Sequence, residues 1–214
     1  MNIIPITATL IAAPVPPDPP STRITVRVAA GDTMTLASLA LAADHPFVTV
    51  AWGDGETTFA PGGKFTHAYA AAGEYEISIS DDIGSLVVVG KDDEAIASAP
   101  LVVGFATDAH LLTQLSGRSF EGCVNLANPI LDKARIDKIF PGAFGLCLSF
   151  TGVLRLPSVT AFPGPGSFQP FAGCTGGVTE IHFAASSEES IRSSRAYEND
   201  PTLGTGTAVL KFDL

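Results

Sequence analysis

Two spacings of apolar residues divide this chain, a strict alternation in the front half and a longer recurrence in the back half. From Phe47 to Trp52, Val48 and Val50 alternate with Thr49 and Ala51, the pattern of a strand with one face turned inward. Gly53-Asp54-Gly55 follows; glycines flanking an aspartate are turn chemistry, since glycine reaches positive φ without a Cβ clash. Phe65, His67 and Tyr69 then fall on alternate positions. After a break at Ala70 to Gly73, Tyr75, Ile77 and Ile79 share one face while Glu74, Glu76 and Ser78 take the other. Short alternating strands separated by Gly and Asp turns predict an antiparallel sandwich.

The back half repeats Phe-x-x-Cys as Phe120-Glu-Gly-Cys123, Phe144-Gly-Leu-Cys147 and Phe171-Ala-Gly-Cys174, which uses every cysteine in the chain. After each Phe an apolar residue recurs at Leu126, Phe150 and Val178, and another at Ile130, Leu154 and Ile181. Leu156 and Phe183 add a further inward position, where the first copy has Asp132. Upstream, a pair recurs as Leu112/Leu115, Ile136/Ile139 and Val159/Phe162. A fixed period in the low twenties, with one strand and one short helical turn per unit, predicts a solenoid. Phe and Cys lie on one face of a turn, and Leu154/Leu156 or Ile181/Phe183 on one face of a strand. No single unit could bury both faces alone.

These repeats resemble the BspA-type leucine-rich repeats of bacterial surface and phage-associated proteins, whose unit reads roughly V-x-x-I-G-x-x-A-F-x-x-C-x-x-L-x-x-I-x-x-P. Ile136-Asp-Lys-Ile139-Phe-Pro-Gly-Ala143-Phe144-Gly-Leu-Cys147, then Leu154-Arg-Leu156-Pro157, follows it closely. The third copy departs by the extra Pro163 to Pro170, and the first by Asn128-Pro129 and Asp132. The front half resembles a PKD-like, immunoglobulin-type domain, whose hallmark is W-G-D-G, then H-x-Y, then G-x-Y-x-I. Here these are Trp52-Gly53-Asp54-Gly55, His67-Ala68-Tyr69 and Gly73-Glu74-Tyr75-Glu76-Ile77. Such domains are spacers or weak binding modules, so the resemblance implies that Trp52 and Tyr75 serve the core. No acidic or Cys partner sits at a diagnostic spacing from His67, which is read as a structural histidine.

The expected fold is therefore mainly β: an N-terminal immunoglobulin-like β-sandwich, then a short leucine-rich-repeat solenoid with a C-terminal helix-strand cap. The expected boundaries are 1–20 for an apolar arm and proline-rich linker, 21–90 for the sandwich and 91–111 for a connector. The repeats occupy 112–183 and the cap 184–214. In the cap, Ser186-x-x-Glu189 reads as a capping box for a helix to about Tyr197; Asn199-Asp200-Pro201 stops it, and Ala208 to Asp213 reads as a closing strand. Met1 to Ala13 is apolar and uncharged, and Pro14 to Pro20 forms a stiff extended linker. With no positive residue before Arg23 it lacks the charged start of a secretory signal, and Pro5 interrupts a stretch too short to span a bilayer. It is read as a docking arm, with Ile3, Ile4, Ile6, Leu10 and Ile11 as its apolar contacts.

Charge narrows the partners. The chain holds 12 Lys+Arg against 22 Asp+Glu, a net −10, and no basic stripe of the kind that nucleic acid requires. The cysteines, a whole repeat apart, lack zinc-ligand spacing and are read as free and buried. Asp81-Asp82 and Asp92-Asp93-Glu94 lack the alternating oxygen ligands of a calcium loop and are read as solvated turns. No Gly-x-Ser-x-Gly elbow, phosphate loop or H-E-x-x-H is present. No catalytic residue, cofactor or metal is therefore expected. The expectation is a non-enzymatic structural and binding protein, a bacteriophage virion component such as a capsid decoration, head-fibre or tail-associated protein, assembled in the host cytoplasm. The arm would meet the virion shell or tail, and the modules a host-surface glycan or protein; a homo-oligomer is compatible, and membrane insertion is not expected. The alternative is a bacterial cell-surface adhesin of the BspA type. Arg155 and His182, each between two inward residues, are the candidate outward recognition surface.

Overall fold

Alternation builds the first sheet. In β1 (Ser21–Val28), Thr22, Ile24, Val26 and Val28 are buried while the residues between them are not. The strand runs antiparallel to β6 (Gly73–Ser80) on one side and to β8 (Val102–Thr107) on the other. With β3 (Val48–Ala51) and β4 (Thr57–Ala60) the order is β4-β3-β6-β1-β8, antiparallel throughout. The computed structural model describes residues 19, 21–162, 170–174, 177–193 and 208–214.

The second sheet joins the two halves of the chain. It contains β2 (Thr33–Leu41), β5 (Gly63–Ala68), β7 (Ile83–Val87), β9 (Gln114–Leu115) and β10 (Lys138–Ile139), in the order β10-β9-β7-β2-β5. Pairing is antiparallel from β5 through β2 to β7, and parallel from β7 through β9 to β10. The switch falls where the repeats begin, and an isolated parallel bridge from Lys138 to Ala161 carries the ladder one copy further. A third, parallel sheet comprises β11 (Gly152–Leu156), β12 (Val178–Phe183) and β13 (Val209–Phe212). Among the described residues the fold is thus mainly β, with two short helices.

One hydrophobic core runs through both halves. In the repeat region it is built around stacked rings: Phe120 lies 5.4 Å from Phe144 at 6°, and Phe144 lies 5.5 Å from Phe171 at 9°. Phe105 of β8 abuts Phe120 at 4.6 Å and so starts the column from the first sheet. The copies also share main-chain hydrogen bonds. Phe120 N donates to Ala143 O and Phe144 N to Pro170 O; two residues on, Gly122 N donates to Gly145 O and Leu146 N to Ala172 O. Within each copy, Cys N donates to Phe O, closing the turn expected from Phe-x-x-Cys. The upstream pairs Leu112/Leu115, Ile136/Ile139 and Val159/Phe162 are all buried.

Three expectations need adjustment. Ile130, aligned with Leu154 and Ile181, is 64% exposed, and Leu131 is buried in its place. The reason is its register: Ile130 bridges Ala106 of β8 in parallel, its amide donating to Phe105 O at 2.9 Å, and shares the face of Ala106 while Phe105 and Thr107 turn inward. Just upstream, Asn128 bonds to the main chain of the next copy, taking the Thr151 amide at 2.9 Å and donating to Val153 O at 3.1 Å. Residues 91–111, read as a connector, carry α1 (Asp93–Ser98), a 3-10 turn at Ala99–Leu101 and β8. Asp92 caps α1 by accepting from the Glu94 and Ala95 amides, and Ser98 Oγ accepts from the Thr35 amide, tying the helix to β2.

In the cap, the helical segment begins with a 3-10 turn at Ala185–Ser187 and continues as α2 (Glu188–Ser193). Ser186 therefore sits inside the turn rather than at its cap, and the flanking Ala184 makes no side-chain cap bond. The helix beyond residue 193, the arm residues Ile3, Ile4, Ile6, Leu10 and Ile11, and the insertion at 163–169 lie outside the described residues.

Candidate recognition surface

The parallel pairing of β11, β12 and β13 fixes which side chains share a face. Leu154, Ile181 and Leu210 form one row across the sheet and Leu156, Phe183 and Phe212 another; apart from the half-buried Leu210 and Phe212 at the outer strand, these are core residues. Side chains one position away point to the opposite face. Register then places Arg155, His182 and Lys211 in one outward row, and Val153, Glu180 and Val209 in the next.

The two residues singled out from sequence behave differently in this row. The Arg155 side chain is 53% exposed, with Nε 3.2 Å from an Asp132 carboxylate oxygen. His182 lies on the same face, but its side chain is only 12% exposed. Its Nε2 is 2.8 Å from Glu180 Oε2 and its Nδ1 is 2.7 Å from Asp213 Oδ1. Lys211 Nζ reaches the other Glu180 oxygen at 2.9 Å. The hydrogen bonds from His182 and from Lys211 hold the Glu180 carboxyl below the ordinary carboxylate range. His182 is thus a positioning residue that fixes two acids, while Arg155 and Lys211 present the accessible cationic groups. Sequence reasoning missed Lys211, Glu180 and Asp213. The signal was available in β13, whose alternation around Leu210 and Phe212 puts Lys211 and Asp213 outward.

A second cluster gathers the three motifs of the front half. Trp52 stacks on His67 at 4.9 Å and 15°, His67 meets the edge of Tyr69 at 4.8 Å, and Tyr69 stacks on Tyr75 at 4.6 Å. Trp52 Nε1 donates to Thr58 Oγ1, and the buried Tyr69 hydroxyl donates to Trp52 O at 2.9 Å. Burial, with Asp54 and Tyr75 adding to it, pushes the Tyr69 phenol up. The partner of His67 that spacing did not reveal is Asp54, 2.7 Å from Nε2; the Gly53-Asp54-Gly55 turn carries it across to β5. Desolvation alone would raise the Asp54 carboxyl, but the bonds from His67 and the Glu56 amide outweigh it and hold it below its ordinary value. The close approach needs glycine: at Gly53, with φ +88°, a Cβ would stand 2.7 Å from Glu76 O. The geometry of this pair is that of a turn fastened to a strand.

All three cysteines are buried thiols. Cys147 Sγ donates to Phe120 O at 3.2 Å and Cys174 Sγ to Phe144 O at 2.8 Å, so each thiol reaches back to the carbonyl of the preceding copy. Burial pushes the Cys123 thiol up, and the neighbouring Cys174 together with burial does the same for Cys147. The acidic turns are occupied by protein partners. Asp81 accepts from the His110 and Leu111 amides, Asp82 bonds His45 and Ser80, and Asp92 pairs with Lys64. Among the described residues no cluster of three or more His, Cys, Asp or Glu could hold a metal ion, and no helix is long and apolar enough to cross a membrane. No protein-family model, no curated protein and no solved structure matches the chain.

Proposed function

We propose that this chain is a non-enzymatic structural and binding protein, a bacteriophage virion component that docks through the arm at residues 1–20 and displays two β modules outward. The modules are read as an immunoglobulin-like, PKD-type sandwich and a short leucine-rich-repeat solenoid with a helix-strand cap. The observation that carries this reading is the interlocking of successive Phe-x-x-Cys copies. Ring stacks, Sγ–H···O bonds and main-chain bonds join each copy to the next, as expected where every unit buries its neighbour's face. Such stacking leaves a stiff outward sheet, and on it Arg155, His182 and Lys211 stand in register. A row of this kind suits recognition of a host-surface glycan or protein, weak per copy and strengthened by many copies on one particle. Reduced, buried cysteines agree with assembly in a cytoplasm.

Imaging tests the assignment. Particles purified from the source culture and decorated with a gold-labelled antibody against the chain carry label at regular positions on shell or tail. A chain lacking residues 1–20 keeps its melting temperature and leaves the particles bare. Label confined to the bacterial envelope overturns the virion assignment in favour of a cell-surface adhesin. Particles still decorated by the truncated chain overturn the role of the arm.

A further inference from the structure

The outer face of the first sheet carries a feature that the repeat surface does not explain. A groove of about 530 Å³ crosses β1, β6 and β3, with Ser21, Arg23, Thr49, Glu76, Ser78 and Ser80 among its walls. Beside it stands an apolar plate. Thr49 is paired with Phe59 of the edge strand β4, and paired residues point to the same side of a sheet. Phe47, two residues before Thr49, points that way too. The two rings lie 4.9 Å apart at 30°, and Phe47 is 41% and Phe59 67% exposed. Inner residues of the same strands, Val48 and Val50, fill the core. Two large rings paired in solvent are not needed by the fold, and contiguous apolar exposure rimmed by polar groups marks a binding surface.

We propose that this groove and the Phe47–Phe59 plate bind a neutral oligosaccharide. A pyranose offers an apolar C–H face and a rim of hydroxyls, and the site offers the complement of both. The rings supply the flat apolar contact. Glu76, Ser78 and Thr49 carry side-chain oxygens with no side-chain hydrogen bond among the described residues, and Arg23 adds a donor, its Nη1 3.4 Å from Ser21 Oγ and 3.8 Å from Asp108. A few polar groups converging on an apolar platform in a concave site fix a ligand's orientation. Charge selects the class. Glu76, Asp81 and Asp82 line the groove against the single Arg23, so an acidic glycan or a nucleic acid meets like charge. This site is separate from the β11–β13 face and does not depend on the virion assignment.

The full chain is titrated calorimetrically with N-acetylglucosamine hexamer, mannose hexamer and, as the anionic comparison, a heparin hexasaccharide. At least one neutral hexamer binds and heparin binds more weakly. Phe47→Ala/Phe59→Ala weakens that binding by about ten-fold, or about 1.4 kcal/mol. Because both rings are exposed, the melting temperature of the variant stays near wild type, and Glu76→Gln weakens binding independently of the plate. The proposal is overturned if neither neutral hexamer binds, if heparin binds most tightly, or if the double Phe variant keeps wild-type affinity.

Discussion

Phe144→Ala tests the packing of the repeats at its centre. The side chain has no exposed surface and touches three rings: Phe120 at 5.4 Å, Phe171 at 5.5 Å and Phe150 at 5.5 Å. Burying a phenylalanine side chain is worth about 1.5–3 kcal/mol in transfer free energy. Three aromatic neighbours add about 0.5–1.5 kcal/mol each. Partial collapse of the cavity returns some of this, and buried Phe→Ala changes cost about 3–5 kcal/mol in practice. The upper half of that range, about 4–5 kcal/mol, is expected here, because stacked neighbours on both sides are held by inter-copy hydrogen bonds and cannot close the gap. Urea denaturation followed by circular dichroism measures it, as a fall in midpoint at constant slope. Phe59→Ala is the control: the ring is 67% exposed, so the change should be within about 0.5 kcal/mol. A loss below about 1.5 kcal/mol for Phe144→Ala would refute the column as the core of the repeats.

Three further outcomes follow from the same geometry. Native Cys123, Cys147 and Cys174 should resist alkylation until the protein is unfolded, since burial holds all three from solvent and the first two thiols are pushed up; rapid labelling of all three by mass spectrometry in native buffer contradicts this. The folded carboxyl of Asp54 lies below its ordinary value, so its contribution is complete above the unfolded value near pH 3.9 and is lost as pH falls through the folded one. Asp54→Asn should therefore flatten the acid side of the stability-versus-pH curve below about pH 4, and an unchanged acid limb in thermal melts would remove the His67–Asp54 pair from the account. Gly173 adopts φ +77°, and a Cβ there would stand 2.7 Å from Leu146 Cδ2. Gly173→Ala should cost on the order of 1–2 kcal/mol from the left-handed backbone, and a neutral or stabilising change in urea midpoint would mean that this turn is not held as described.

What could be read from sequence was whatever recurs. The inward positions of the second and third copies were legible because several residues keep one register, and the strands from Val48 and from Tyr75 because alternation has a period of two. Ile130 was misplaced because its parallel bridge to Ala106 of β8 puts it on the outer face, a register that no hydropathy pattern records. Another signal was present and unused. Gly122 and Gly173 share a position with Leu146, and Gly142 shares one with Arg118; all five adopt positive φ. Two glycines against one leucine already marked a left-handed site in the repeat turn. Asp54 and Asp213, partners of His67 and His182, were hidden for a different reason: they arrive through a turn and through strand register, so these contacts are set by the sheet and not by nearness in the chain, whereas Glu180, two residues from His182, was there to be read from alternation. The outward row of Arg155, His182 and Lys211 was half legible. Alternation gave the face, but only the pairing of β12 with β13 revealed that His182 is enclosed and Lys211 accessible.

The central claim is that the outward row on β11, β12 and β13 recognises a host surface without forming part of the core. The most direct measurement compares host-cell attachment of the wild-type chain with Arg155→Glu/Lys211→Glu, both displayed on particles, at equal copy number and with melting temperatures recorded alongside. Both side chains are substantially exposed, 53% and 40%, so folding should be little altered, while reversing two charges replaces attraction by repulsion at the contact. The account predicts attachment reduced by about ten-fold or more at physiological salt once the per-copy loss is multiplied by valency. Attachment equal to wild type, with both proteins folded, would contradict recognition by this face.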